Sequence, residues 1–399
     1  MAEAPVVIVG AAMGGLRTAE SLRRSGYAGA IRMIGDELHA PYNRPPLSKD
    51  VLSTGVTHEA VAFPARAEMA DVEWMLGARA ATTDLAAHTV TTADGATHDF
   101  AALVIATGLR PRRLPFPPSA SDHAPRRHAV RSLDDAMALR QELVPGARVV
   151  VIGSGFLGCE LAATATKLGC AVTVVTPSAE PMIRPLGKML ARQLRTRLEA
   201  AGVTFVLGAT VSGLGDGVEL ADGTVIPADL IIEAIGSHCN QEWLEGTGLD
   251  LADGVLADNA LRAVTVDGVA HDDVYVVGDI ARFPNPMFDD VPRRIEHWNI
   301  PTDTGRRAGA VLGAWLGEGF TEAVATKFAP MPSFWSNQFD IKLQAYGLPG
   351  LADEERILEG ELGGDVAMGY FRDDRLVGVV GVGLKAALLP YRQAIADGA

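Results

Sequence analysis

The first apolar residues form an unbroken run, Val6-Val-Ile-Val, which stops at Gly10 and gives way to Ala and Leu at helical spacing over residues 16–24. The run reads as a buried strand and the spacing after it as a helix. The intervening Gly10-Ala-Ala-Met-Gly14-Gly15 must therefore turn the backbone sharply. A strand, a glycine turn and a helix start make a diphosphate site, because unpaired N–H groups and the helix dipole favour negative charge there. The spacing fits GxGxxG with Ala12 in the second glycine place, and a second strand over 30–35 ends at Asp36, where a ribose-hydroxyl acceptor is expected.

The pattern returns in Arg148-Val-Val-Val-Ile-Gly153-Ser-Gly155-Phe-Leu-Gly158-Cys-Glu160, now with all three glycines. Two such units in strand-turn-helix context imply two dinucleotides, most simply a bound flavin and a diffusible nicotinamide. The strand over 171–175 ends at Thr176-Pro-Ser-Ala-Glu180. Thr176 cannot grip a ribose bidentately; Glu180 argues for NADH, and Arg184 keeps NADPH open.

Between the two units, the prolines of Pro41-Tyr-Asn-Arg44-Pro-Pro-Leu-Ser-Lys49 fix an extended loop. Arg44 could clamp a pyrophosphate, and Lys49 could set an ammonium beside an electron-rich ring. Strands are expected over 72–76, 89–92 and 99–105, with a hairpin turn at Ala93-Asp-Gly95. The small residues Thr107 and Gly108 at a strand end let a cofactor lie against the backbone, and the proline-rich run from Arg110 to Pro118 marks a crossing into a new domain. Arg131-Ser-Leu-Asp134-Asp135 opens a helix to about 143. Beyond the second glycine turn the pattern gives a helix over 188–201, strands over 203–209, 217–220 and 224–227, and a closing strand at 230–236. The buried strand before Gly278-Asp279 delivers a carboxylate suited to a ribityl hydroxyl. Arg294-Ile-Glu296-His297-Trp298 precedes a helix over 303–316. From about residue 321 strand texture takes over, with a hairpin around Asp373-Asp374.

Composition narrows the functions. The chain has 399 residues, 35 Lys and Arg against 49 Asp and Glu, and a net charge of −14, which argues against nucleic acid and anionic membranes as partners. The three cysteines Cys159, Cys170 and Cys239 show no CxxC or metal-ligand spacing. The nine histidines show no HExxH, so no metal site is expected. With no basic leader and no apolar run near 18 residues, a cytoplasmic location is expected. The fold class is α/β: two Rossmann-like nucleotide-binding domains and a C-terminal α+β domain. The expected bounds are 1–113 with 248–320 for the FAD domain, 114–247 for the NAD(P)H domain, and 321–399 for the last.

With these stretches in order, and with Ala106-Thr-Gly108, His297-Trp298 and Phe334-Trp335-Ser336, the chain resembles the FAD-dependent ferredoxin reductases of bacterial Rieske oxygenases and haem monooxygenases. These are a branch of the glutathione-reductase-like flavoproteins. The resemblance implies FAD contacts from Gly10, Ala12, Met13, Gly14, Gly15, Asp36, Arg44, Lys49, Thr107, Gly108, Arg131, Gly278, Asp279, His297 and Trp298. It implies NADH or NADPH contacts from Gly153, Gly155, Phe156, Leu157, Gly158, Glu160, Thr176, Arg184 and Gly236. Ala12 and Thr176 depart from the usual Gly and Glu, and the second departure bears on coenzyme choice. Hydride is expected to pass from the nicotinamide to the flavin, with Lys49 beside the flavin and Glu160 paired to it as the catalytic pair. Single electrons then go to a two-iron two-sulfur ferredoxin that feeds an oxygenase, the reductase being a monomer or homodimer. Arg293-Arg294 and Arg306-Arg307 could form a docking patch or a solvated face. The alternatives are an NAD(P)H oxidase or diaphorase, or a redox-sensing flavoprotein without a ferredoxin. A disulfide reductase would need two thiols after the first turn and a peroxidase one within 41–52, and neither stretch contains cysteine.

Overall fold

The computed structural model describes residues 4–117 and 124–398. Pro118, the last residue of the expected proline-rich crossing, and the first three residues lie outside them. The first sheet has the strand order Arg262–Val264, Ala270–Val276, Ala102–Ile105, Val6–Val9, Ile31–Gly35, Glu73–Leu76. Val6 stands opposite both Ala102 and Ile31 in parallel register, and only the outermost pair is antiparallel. All of Val6–Val9 is buried, as befits a central parallel strand covered on both faces. On one face the helix Met13–Arg24 packs against Ile300–Leu316. The contact is close because Gly305 and Gly309 are glycines: a Cβ on them would stand 2.7 Å from the Gly14 carbonyl oxygen and 2.5 Å from that of Thr18.

The second sheet, Thr204–Leu207, Ala171–Thr176, Arg148–Ile152, Leu230–Glu233, Arg126–His128, is parallel throughout. The two sheets share a plan. In each, a three-stranded antiparallel meander is inserted before the strand that pairs with the first: Ala80–Asp84 to Thr97–Asp99 in one, Val211–Leu214 to Val225–Pro227 in the other. The first glycines also match. Gly10 and Gly153 have φ of +121° and +102°, and a Cβ would meet the carbonyl oxygens of Ala106 at 2.1 Å and Ala234 at 2.3 Å. These positions admit no side chain.

The third sheet is antiparallel, in the order Ser333–Gln338, Ile341–Gly347, Arg375–Val382, Val366–Arg372, Glu354–Gly360, followed by the helix Leu389–Asp397. It docks on the second unit. Phe334, Leu343 and Tyr370 share a core with Leu186, Leu190 and Leu194, and the Tyr370 hydroxyl donates to the Leu186 carbonyl at 2.6 Å.

Some bounds differ from the pattern-based reading, each for a local reason. The first helix begins at Met13, inside the glycine turn. The helix expected from 188 begins at Ile183 and is interrupted at Gly187, whose φ is +66°. Pro301, in the first turn of its helix, moves that start to Ile300. The expected strand over 99–105 is two, Thr97–Asp99 and Ala102–Ile105, with the buried Phe100 between them. The helix expected near 131 runs Leu133–Glu142 and is fixed by a capping box. The Ser132 hydroxyl accepts from the Asp135 N–H, and the Asp135 carboxylate accepts from the Ser132 N–H.

Candidate functional site

A cavity of about 910 Å³ opens at the carboxyl end of the first sheet, within the usual size of ligand pockets, about 300 to 1,000 Å³. Gly10, Ala12, Met13 and Gly14 line it from the glycine turn, Asp36, Thr107, Gly108, Gly278 and Asp279 from strand ends, and Arg44 and Lys49 from the proline-fixed loop. Arg131, His297 and Trp298 close it, Phe156, Leu157 and Glu160 enter from the second unit, and Phe334 and Trp335 from the third sheet. Gly15 lies behind the turn instead: a Cβ there would stand 2.1 Å from the Gly10 carbonyl oxygen, so its role is packing.

Gly153, Gly155, Gly158, Thr176, Arg184 and Gly236 do not line this cavity. They belong to the second glycine turn and to the strand ends and helix start beside it. A Cβ on Gly155 would meet nothing within 4 Å, so that turn is open to an approaching ligand, whereas Gly158 packs 2.2 Å from the Gly153 carbonyl oxygen as Gly15 does in the first. Gly236 turns with φ +102°. Thr176 is buried, and its hydroxyl accepts from Ser154 at 3.0 Å. Arg184 is exposed. Glu180 is ion-paired with Arg195 at 2.7 Å, so it is not an unengaged carboxylate awaiting a ribose.

One end of the cavity suits an anion. Arg44 pairs with Glu37 and donates to the Arg131 carbonyl at 2.5 Å, while Tyr42 donates to Glu37 at 2.5 Å and accepts from the Leu133 N–H at 2.8 Å. Arg131 faces Asp279 across 3.4 Å. Burial lowers the Arg131 pKa, and the neighbouring Arg44 charge lowers it further; burial likewise raises that of Asp279. Two guanidiniums beside a helix N-terminus are the donor set a diphosphate needs. The N–H of Gly278 is held by Thr304 Oγ1 at 3.0 Å, which fixes the approach to Asp279. The Thr107 hydroxyl donates to the Asn240 carbonyl at 2.7 Å.

The other end is aromatic. His297 stands edge-on to Phe334 with ring centroids 5.1 Å apart. Burial pushes its pKa down to about 4, so the ring is neutral at pH 7, and its Nδ1 is buried without a partner. An orphaned nitrogen on a cavity wall is a position for a ligand hydrogen bond. Trp298 is 39% exposed; its indole N–H donates to Asn43 Oδ1 at 3.0 Å, and its ring meets Trp335 edge-on at 5.2 Å.

Lys49 and Glu160 come together, with Nζ 2.5 Å from Oε2. The carboxylate has two further donors that sequence reading did not find. Ser48 Oγ donates to Oε2 and Ser336 Oγ to Oε1, both at 2.6 Å. Gln338 Nε2 donates to the Ser336 hydroxyl at 3.0 Å. Ser48 stands next to Lys49 in the proline-rich stretch and Ser336 ends the Phe334-Trp335-Ser336 stretch, so both lay within segments already singled out. Glu37 and Tyr42 were missed likewise.

The pyridine nucleotide-disulphide oxidoreductase model matches residues 4–305, and the reductase C-terminal model matches 333–399. The chain belongs to the pyridine nucleotide-disulphide oxidoreductase family. It is similar to the ferredoxin–NAD(+) reductase component of the anthranilate 1,2-dioxygenase system of Burkholderia cepacia, with 34% identity over 100% of this chain and 96% of the relative. It is also similar to the corresponding p-cumate 2,3-dioxygenase component of Pseudomonas putida, at 35% over 94% and 88%. In solved structures it resembles the covalent putidaredoxin reductase–putidaredoxin complex, with 30% identity, TM-score 0.88, and coverage of 100% and 94%. The family's α/β plan, with its separate C-terminal domain, is the fold described above.

Cys159, Cys170 and Cys239 are all free. Burial, with Glu160 beside it, pushes the Cys159 thiol up to about 12, so it carries no thiolate at neutral pH. Among the described residues no His, Cys, Asp and Glu cluster could hold a metal, and no helix is long and apolar enough to cross a membrane. Of the two arginine pairs, the first is paired with carboxylates, whereas Arg306 is exposed. Arg293 is held by Asp289, Arg294 by Asp253 and Glu296, and Arg307 by the Thr326 carbonyl.

Proposed function

We propose that this chain is a FAD-containing ferredoxin–NAD(P)+ reductase that accepts reducing equivalents from NADH in preference to NADPH and delivers single electrons to a two-iron two-sulfur ferredoxin serving an oxygenase. One observation carries the reading. The helix Phe156–Lys167 starts in the second glycine turn, yet its first turns reach the cavity of the first, where Glu160 meets Lys49. A coenzyme on the second turn and a cofactor on the first would thus share a boundary built of Phe156, Leu157 and Glu160. The relatives' names, ferredoxin–NAD(+) reductase, support the partner and the coenzyme.

FAD, when bound, supplies a ring that takes up a hydride and gives back electrons one at a time. The residues present fit it. Arg44, Arg131 and the turn at Gly10 to Gly14 would hold the diphosphate, Asp36 and Asp279 would accept ribose and ribityl hydroxyls, and the partnerless Nδ1 of His297 would meet the polar edge of the ring. Thr107, Gly108 and Gly278 leave room for it, and Trp298 covers it. Lys49 supplies a fixed positive charge where negative charge accumulates on reduction, and Glu160 holds that ammonium in place. Gly153, Gly155, Gly158, Thr176, Arg184 and Gly236 would receive the coenzyme. In this reading residues 1–113 and 248–320 form the FAD domain, 114–247 the NAD(P)H domain and 321–399 the C-terminal domain, and the protein works in the cytoplasm.

Anaerobic titration tests the proposal. A yellow protein should bleach with one equivalent of NADH, more readily than with NADPH, and an added two-iron ferredoxin should then lose its visible bands. A colourless protein that cannot be reconstituted with FAD would overturn the reading.

A further inference from the structure

Three parts of the chain meet at the Glu160 carboxylate. Ser48 and Lys49 come from the proline-fixed loop, Glu160 itself from the second unit, and Ser336 from the C-terminal sheet. Lys49 and Ser48 both reach Oε2, whereas Oε1 receives Ser336. Ser336 is 1% exposed and Glu160 7%, so bulk water is poorly placed to substitute for a lost donor. The Ser336 hydroxyl accepts from Gln338, itself 1% exposed, and its one proton is committed to Glu160.

We propose that Ser336 is a positioning residue for the Lys49–Glu160 pair: by occupying Oε1 it keeps the carboxylate from turning both oxygens onto Lys49, and so leaves the ammonium's field directed into the cavity. The C-terminal sheet is thereby part of the electron-accepting site and not only a cover over it. The inference rests on the reading that FAD occupies this cavity.

The consequence has a sign. Without the Ser336 hydroxyl, Oε1 is a buried acceptor lacking a donor, and Lys49, already bound to the other oxygen of the same carboxylate, is the cation it can turn toward. A carboxylate forked onto Lys49 draws its charge away from the ring, so reduction becomes harder. Glu160→Gln acts oppositely, removing the negative charge and leaving Lys49 uncompensated.

The test is spectroelectrochemical measurement of the flavin midpoint potential in holoprotein, with stopped-flow reduction by saturating NADH beside it. Ser336→Ala should lower the midpoint and slow reduction about tenfold, with the NADH concentration dependence unchanged. Glu160→Gln should raise the midpoint, and the double variant should match Glu160→Gln alone, because the serine acts through that carboxylate. Ser336→Thr should restore the parent midpoint. Gln338→Met, which removes the donor that orients Ser336 along with its weaker contact to Met182 Sδ at 3.7 Å, should shift it in the same direction by less, and stands in if Ser336→Ala does not fold. Unchanged midpoints in folded, yellow Ser336→Ala or Gln338→Met, or additive effects in the double variant, would overturn the proposal. A parent protein that binds no FAD would overturn instead the reading beneath it.

Discussion

The two glycine turns are built alike and furnished differently. In both, the first glycine lies against the carbonyl of the neighbouring strand and the third against the carbonyl of the first. The second place differs: Ala12 in one, Gly155 in the other. So do the strand ends, where Asp36 lines the cavity while Thr176 is buried against Ser154. Around the first turn Arg44, Arg131, Asp279 and His297 enclose a deep cavity, whereas the second turn's glycines stand outside it. On the reading proposed above, a shared backbone plan would accommodate two kinds of residence. Walls and buried charges suit a ligand that stays, and an open turn suits one that must leave after each turnover.

The strongest way to break this comparison is to disable each turn in isolation. Gly10→Ala would place a methyl 2.1 Å from the Ala106 carbonyl oxygen and Gly153→Ala one 2.3 Å from that of Ala234, both at positive φ. Each should cost about 3 kcal/mol or more locally, from overpacking and backbone strain together. Gly10→Ala should emerge colourless, while Gly153→Ala should stay yellow, take electrons from dithionite and fail to bleach with NADH. Loss of colour in Gly153→Ala would show that the turns are not separate sites.

A second contrast lies in titration. The first site buries a neutral His297 with its pKa pushed from 6.5 to about 4. The unfolded chain therefore takes up that proton first, and stability is lost as pH falls from about 6.5 toward 4, by roughly 3 kcal/mol at most. His297→Gln should flatten this limb in urea unfolding followed across that range. An unaltered slope would mean that His297 is not buried as described.

How much of this was legible beforehand depends on distance along the chain. The glycine turns, the capped helix at Ser132 and the strands beside them are local patterns, and they are where the sequence places them. The approach of Glu160 to Lys49 spans 111 residues and was available through resemblance, not periodicity. Gln338 carried no signal, and Ser336 stood out only as the end of a matching stretch: a serine and a glutamine in an alternating strand look like solvent-facing positions, yet both are buried. Glu180 is the opposite case, a signal visible in the sequence whose partner was not. Its position after a strand suggested a ribose acceptor, but Arg195, from the helix Ile183–Ala200, pairs with it, and only the packing of that helix reveals this. That helix was read from 188, and Gly187, with φ +66° and ψ −178°, does break it there, leaving one short turn before the break.

The smallest effect gives the sharpest comparison. Gly155→Ala would make the second turn resemble the first, with alanine in the middle place. Gly155 has φ −73°, which alanine adopts readily, and its Cβ would meet no protein atom within 4 Å. The variant should therefore fold at least as well as the parent, with a gain of about 0.5 kcal/mol from the narrowed unfolded ensemble. Any penalty must come from the coenzyme, whose diphosphate would meet the new methyl. KM for NADH should rise severalfold while FAD content and the rate of dithionite reduction stay fixed. If KM is unmoved, the second turn tolerates the methyl as the first tolerates Ala12, and the difference between resident and diffusible ligand lies wholly in the walls.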